Sequence, residues 1–140
     1  MLEHETNRVR FASPEWIAAA RAILSKLAAD HGKPADSFSL CERFTDAPAD
    51  LWPSGLAAWW FRIDGASAQV GTGEIADADA SVTHDYAATL PTARLVYTPE
   101  ILAERSAKRA RGELSGRQGD WSGAPAYLVE LHNRLAAITA

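Results

Sequence analysis

The chain has 140 residues, of which 47% are apolar and 23% charged, and it carries a net charge of -4 at pH 7 with neutral histidines. This composition excludes a disordered chain, the length suits one domain with its own core, and no apolar run reaches membrane-spanning length. The mild acidity argues against nonspecific nucleic-acid binding, while a polar start unlike a secretory signal and a single cysteine, Cys41, lead us to expect a cytoplasmic protein without disulfides.

The first predicted elements are a helix and a strand. Ser13 is placed to cap a helix that starts with proline and an acidic residue, and apolar side chains recur at helical spacing up to about Asp30. Residues 37–45 alternate between two faces, which is typical of a strand. One face of this strand carries Phe38, Leu40, Glu42 and Phe44. We assign residues 1–12 to an N-terminal tail and residues 13–140 to a single domain.

A meander of two strands is predicted next. Residues 57–64 alternate between apolar and other side chains, and Asp64-Gly65 is a strong tight-turn signal before a return strand over residues 66–71. The adjacent Trp59 and Trp60 must point to opposite faces of the first strand, so one of them faces the helices and the other needs separate cover. A Trp60 left exposed would indicate a surface that docks a partner protein or a second copy of the chain.

A third short strand and a helix follow the meander. Ser81-Val82-Thr83 can form the strand, and the helix is predicted over residues 84–90. Thr83 or Asp85 is positioned to cap this helix. We expect Pro91 to end it, because proline cannot donate a helix hydrogen bond.

The rest of the chain predicts a charged helix, a last strand and a final helix. Thr98-Pro99-Glu100 is a strong helix start, and the charged stretch continues to Gly112. A last strand follows, and the final helix is expected to begin near Gly123-Ala124-Pro125. Its apolar stripe consists of Tyr127, Leu128, Leu131, Leu135 and Ile138. Helices that pack on one sheet in this order make an α+β protein.

Two segments resemble the sterol carrier protein 2 family. Residues 59–90 combine an apolar strand, an Asp-Gly turn, a short strand and a helix that carries Tyr86 and Leu90, and residues 112–120 are similar to the family's final strand and its Gly-Asp exit. The charged helical stretch over residues 97–112 departs from the family pattern. The resemblance implies an α+β fold with a single antiparallel or mixed sheet of about five strands, covered by helices, and an apolar cavity between the layers.

The resemblance also implies a function, the non-catalytic binding or carriage of a fatty acid, fatty acyl-CoA or sterol. An enzyme partner or a homodimer would fit such a carrier. Large side chains must line the cavity, and the inward faces of the predicted elements offer Trp16, Ala20, Leu24, Phe38, Leu40, Glu42, Phe44, Trp59, Phe61, Tyr86, Leu90, Leu128 and Leu131. The same residues could equally fill an ordinary close-packed core, because periodicity does not distinguish a lined cavity from a filled one.

Glu42 is the one polar residue on an otherwise apolar strand face. If it points into a cavity, desolvation would raise its pKa, and it could bind a ligand hydroxyl or act as the acid or base of a small isomerase, lyase or hydrolase on a hydrophobic substrate. A raised pKa inside a pocket would favour the enzyme. Alternatively, an edge strand or a bulge would turn Glu42 to solvent, or a nearby arginine would pair with it.

The charged stretch and Arg117 after it hold the chain's main concentration of cations. If Ile101 and Leu102 face inward, these cations take the outer side of the helix, with Glu104 available to pair with one of them. They then form a solvated face, or they attract anionic head groups or the phosphates of an acyl-CoA and make at most a transient membrane contact. The cations are Arg105, Lys108, Arg109, Arg111 and Arg117.

Motifs for catalysis, metals and cofactors are absent from the sequence. The four histidines show no metal-ligand spacing, and the lone Cys41 has no arranged histidine beside it. Gly71-Thr72-Gly73 lacks the rest of a phosphate-binding loop. We therefore predict no catalytic residue, no metal and no cofactor.

Overall fold

The computed structural model describes residues 8–140, and in them a five-stranded sheet and four helices. The order along the chain is one helix, four strands, two helices, one short strand and a final helix. The elements are α1 Pro14–His31, β1 Ser37–Thr45, β2 Ala57–Asp64, β3 Ser67–Thr72, β4 Ala80–Asp85, α2 Tyr86–Ala93, α3 Pro99–Ala110, β5 Arg117–Gly119 and α4 Leu128–Ile138.

The strands lie in the order β3-β2-β1-β4-β5, so β1 occupies the centre of the sheet. The pairs β1–β2, β2–β3 and β4–β5 are antiparallel, and β1–β4 is parallel. The predicted α+β class with a mixed sheet of about five strands is confirmed. A parallel neighbour requires a crossover from β3 to β4, because a tight turn can join antiparallel strands only.

The segment that crosses over from β3 to β4, residues 73–79, covers the outer face of the sheet, which is the face opposite to the helices. Glu74 pairs with Arg43 there, and the Asp77 Oδ1 atom accepts a hydrogen bond of 2.6 Å from the Arg62 guanidinium. Trp60 also lies on this face, half-buried against Gly71, where an added Cβ would meet the indole at 2.4 Å. The separate cover that the sequence requires for Trp60 is therefore supplied by the chain itself.

The inner face of the sheet packs against α1 and α4. The Ser13 Oγ atom accepts a hydrogen bond of 3.1 Å from the backbone N–H of Trp16, which confirms the predicted helix start. The buried residues of α1 follow helical spacing, and Leu131 and Leu135 of α4 extend the same core. The predicted bounds of β1 agree with the structure residue for residue.

The residues just before α1 pack on the domain. Val9 forms a parallel bridge with Thr139, and Phe11 is buried with its ring 5.1 Å from that of Trp16. The boundary assigned at residue 13 stays a prediction, and the part of the tail before residue 8 lies outside the described residues.

The structure corrects two helix boundaries. Asp85 caps α2, but Pro91 lies inside it rather than at its end, because in the last turn of a short helix proline costs only one backbone hydrogen bond. The final helix begins at Leu128, several residues later than predicted. Before it, the N–H of Ala124 bonds to Trp121 O and that of Leu128 to Pro125 O, so four-residue turns occupy the place of the expected first helical turn.

The last strand is also shorter than predicted. Only Arg117–Gly119 pairs with β4, whereas the resemblance likened residues 112–120 to the family's final strand together with its Gly-Asp exit. Gly112 and Gly116 have φ values of 73° and 98°, in the left-handed region, so the backbone before Arg117 turns instead of running extended. None of the helices in residues 8–140 is long and apolar enough to cross a membrane.

Candidate functional site

A cavity of about 640 Å³ lies between the inner face of the sheet and the helices α3 and α4. Its floor is formed by the inward-facing residues of β1, β2, β4 and β5, and its roof by α2, α3 and α4. Apolar side chains line one end, among them Trp16, Phe44, Trp59 and Leu131. Arginines line the cavity toward α3 and the edge strand β5. The cavity therefore has an apolar part and a charged part.

Eight of the thirteen predicted site residues line this cavity, namely Trp16, Leu40, Glu42, Phe44, Trp59, Phe61, Leu128 and Leu131. The other five lie elsewhere. Ala20, Leu24 and Phe38 are buried in the packed core, and Leu90 is half-buried against it. Tyr86 is buried, with its hydroxyl donating a hydrogen bond of 2.6 Å to the carbonyl of Phe11.

The roof helix α3 explains why this space is not filled. None of its residues is buried, so it does not pack closely on the sheet as α1 does. Leu102, Arg105 and Arg109 of α3 line the cavity, and their spacing of three and seven residues places them on one helix face. Ile101, predicted to face inward with Leu102, is half-buried but does not line it.

Glu42 lies on the cavity floor at the centre of the sheet. Strand pairing places Trp59, Glu42, Val82 and Arg117 in one row across four strands, and paired residues share a face. The edge-strand and bulge alternatives for Glu42 are therefore wrong. Arginine pairing is also absent, since no cation in residues 8–140 lies within 4 Å of its carboxylate.

The surroundings of Glu42 favour its neutral form. Burial raises the pKa of the Glu42 carboxyl to about 7, although the Trp59 hydrogen bond and the positive charge of Arg117 act in the opposite direction. The Trp59 indole N–H donates to Glu42 Oε1 at 2.8 Å and is its only hydrogen-bond partner in the described part of the chain. Glu42 therefore titrates near neutral pH at the border between the two parts of the cavity.

Three arginines line the charged part of the cavity, together with Glu113, whose carboxylate pairs with Arg111. Arg105 and Arg109 extend from α3, and Arg117 extends from β5. The prediction that all cations take the outer side of the helix is wrong for Arg105 and Arg109, which are half-buried at the cavity wall. Partial burial lowers the pKa of Arg117, and the charges of the other two arginines lower it further.

Tyr97 and His132 form a stacked aromatic pair next to these arginines. The rings of Tyr97 and His132 lie 3.9 Å apart and are nearly parallel, and His132 Nε2 lies 2.7 Å from the carbonyl oxygen of Leu95. Burial lowers the pKa of His132 and raises that of Tyr97, so both side chains favour their neutral forms at this wall. Neither residue was predicted to belong to the site, because the two come from different parts of the chain and only the fold brings them together.

Phe11 and Val82 were also absent from the predicted site. Phe11 was assigned to the tail, although its apolar character next to the helix cap was a usable signal. Val82 was recognised as strand, but its position beside Glu42 depends on the parallel pairing of β1 with β4. In residues 8–140, no group of three or more His, Cys, Asp or Glu side chains is placed to hold a metal ion.

Comparison with known proteins supports the fold. No protein-family model matches the sequence, and no curated protein matches it significantly. A crystal structure of sterol carrier protein 2 matches with a TM-score of 0.56 and 20% identity, over 94% of this chain and 100% of that chain. The UbiJ-SCP2 ubiquinone synthesis protein matches with a TM-score of 0.49 and 17% identity, over 91% of this chain and 96% of that chain. The likeness to the crystal structure of sterol carrier protein 2 shows that the protein has a sterol carrier protein 2-like fold.

Proposed function

We propose that the protein binds and carries an apolar ligand, such as a fatty acid, fatty acyl-CoA or sterol, in the cavity below α3 without transforming it. The observation that carries this proposal is the cavity of about 640 Å³, whose apolar end lies inside a fold similar to that of sterol carrier protein 2. Ligand sites of proteins typically measure roughly 300–1,000 Å³. The cavity is therefore large enough for a small lipid.

Burial of an alkyl chain provides the affinity. Each methylene removed from water contributes about 0.8 kcal/mol. Trp16, Phe44 and Trp59 offer a wall of rings without free polar atoms, since both indole N–H groups donate hydrogen bonds within the protein. Lengthening a ligand by two methylenes should therefore tighten binding by about 1.6 kcal/mol, roughly fifteenfold, until the cavity is full.

Glu42 fits this function as a hydrogen-bonding group at the end of the apolar part. A carboxyl with a pKa near 7 carries a proton in a large fraction of molecules at neutral pH and can donate it to a ligand oxygen. A raised pKa serves a hydrogen-bond donor and a general acid equally. We assign the first role as part of the carrier proposal, which rests on the cavity and on the similarity of the fold to that of sterol carrier protein 2.

Native mass spectrometry of gently purified protein, followed by organic extraction, tests the proposal directly. A bound fatty acid, acyl thioester or sterol is the expected result, and a chemically altered form of an added ligand would indicate catalysis instead. An enzyme partner or a homodimer, transient membrane contact and a cytoplasmic location stay predictions. An unliganded mass together with no binding of a fluorescent fatty-acid probe would contradict the proposal.

A matched pair of variants on α3 tests whether the ligand occupies this cavity. Leu102 lines the cavity, whereas its neighbour Ile101 is half-buried without lining it. Leu102→Trp should fill part of the space and weaken probe binding roughly tenfold, about 1.4 kcal/mol. Ile101→Trp is the control and should leave the affinity within about twofold. Equal effects of the two variants would place the ligand elsewhere.

A further inference from the structure

We propose that Arg105, Arg109 and Arg117 form a binding site for an oxyanion, the carboxylate or phosphate head of the carried ligand, so that the cavity selects acidic amphiphiles over neutral ones. This inference rests on the proposed function and specifies its ligand class. It concerns the charged helix α3, which is the segment where the sequence departs from the sterol carrier protein 2 pattern.

The three guanidinium groups reach the cavity from two sides. Arg105 and Arg109 lie one helical turn apart on the face of α3 that lines the cavity, and Arg117 lies on the edge strand β5. Because Arg117 pairs with Val82, it shares the inner face of the sheet with Glu42. A head group between α3 and β5 can therefore contact arginines from roof and floor at once.

Ion pairing separates these arginines from the other cations of the segment. On α3, the Lys108 Nζ atom lies 3.2 Å from Glu104 Oε1, and Arg111, just past the helix, pairs with Glu113. In contrast, none of the three cavity arginines has a carboxylate within 4 Å among residues 8–140. The cations outside the cavity are neutralised by neighbours, and the cavity cations are not.

The cavity arginines also repel one another. The charge of Arg105 lowers the pKa of Arg109, and the charges of both lower that of Arg117, in each case after the larger effect of burial. Aromatic rings hold two of the three in place, with the Arg117 Cζ atom 4.0 Å from the Trp121 ring centroid and Arg105 Cζ 5.3 Å from that of Tyr97. An oxyanion would relieve this repulsion and accept hydrogen bonds from planar guanidinium donors.

The apolar and charged parts of the cavity lie in the order that an amphiphile requires. Trp59, Glu42, Val82 and Arg117 form one row across the sheet, so the row runs from an aromatic ring to a cation. Glu42 and Arg117 are two strand spacings apart, roughly 10 Å. An alkyl chain over Trp59 thus directs its head toward the arginines.

Three ligands with the same twelve-carbon chain test the inference. The probes are dodecanoate, dodecyl phosphate and dodecanol, and each displaces a fluorescent probe from the full chain at low and high salt. Wild-type protein should bind at least one anionic probe roughly ten- to hundredfold more tightly than dodecanol. The more tightly bound anion identifies the head group as carboxylate or phosphate. Salt should weaken this preference, since it screens charges.

A double variant and its control test the residues. Arg105→Gln with Arg109→Gln should reduce the preference to within about threefold, while Lys108→Gln with Arg111→Gln, which removes the paired cations, should keep it. Loss of the preference in both double variants would overturn the assignment to the cavity arginines. Equal binding of dodecanol and both anions by wild type would overturn the head-group site but leave carriage intact. Failure of all three probes to bind would overturn carriage and this inference together.

Discussion

Replacement of Glu42 by glutamine should make the stability of the protein less dependent on pH. The carboxyl has a reference pKa of 4.5 in the unfolded chain and a pKa of about 7 in the fold, because burial disfavours its charged form. Glutamine has nearly the same shape and stays neutral. Its amide oxygen can also accept the hydrogen bond from the Trp59 indole, so the variant differs from wild type mainly in the titration.

The magnitude follows from the difference between the two pKa values. Below pH 4.5 both the folded and the unfolded chain hold the Glu42 proton, and its contribution to stability is fully present. Between pH 4.5 and about 7 the unfolded chain has released the proton while the folded chain keeps it, so wild-type stability falls as pH rises. The total loss is about 3 kcal/mol and is complete above pH 7.

Urea denaturation followed by tryptophan fluorescence at pH 5, 6, 7 and 8 measures this effect. The difference in unfolding free energy between Glu42→Gln and wild type should grow in favour of the variant across the series. His132, whose pKa burial lowers, titrates in both proteins and cancels in the difference. Glu104→Gln, at an exposed ion pair, is the control and should show no such growth. A difference that stays constant from pH 5 to 8 would refute the reasoning.

Three further predictions concern a close contact, a buried hydrogen bond and a buried thiol. Gly71→Ala places a methyl group 2.4 Å from the Trp60 ring and should cost about 1–3 kcal/mol in urea denaturation, whereas the exposed Gln69→Ala on the same strand should change stability by less than about 0.5 kcal/mol. Thr139→Val removes the acceptor of a buried 3.1 Å indole hydrogen bond and should cost about 1–3 kcal/mol; an unchanged midpoint would contradict this. Cys41 is fully buried, so its thiol should react with a disulfide reagent only at the rate of unfolding, and an immediate reaction in native protein would disprove it.

Local signals predicted most of the elements correctly. The cap at Ser13 and the alternation over residues 37–45 depend on neighbours within a few positions, and the structure agrees with both. The predicted end of α2 at Pro91 and the predicted start of the last helix were wrong for a related reason. The rule that proline ends a helix applies to the interior of a long helix, whereas α2 has only eight residues. The residues before Leu128 form turns that are tighter than a helical turn.

The features of the site that the sequence could not predict depend on the order of the strands in the sheet. Whether Glu42 faces solvent or a cavity depends on whether β1 is central, and that follows from a parallel pairing with β4 across about forty residues. The position of Arg105 and Arg109 was predictable in principle. They follow Leu102 by three and seven residues, so an inward-facing Leu102 implied inward-facing arginines.

The contact between the two ends of the described chain has a consequence for folding kinetics. Trp16 and Thr139 share a buried hydrogen bond across 123 positions, whereas Glu42 and Trp59 are bonded across 17. Closing the longer loop costs roughly 2 kcal/mol more in chain entropy, and domains rich in distant contacts fold slowly. During synthesis, α1 leaves the ribosome before α4 and must wait for Thr139, so the cavity wall at Trp16 is completed only after the sheet and the other helices have been made.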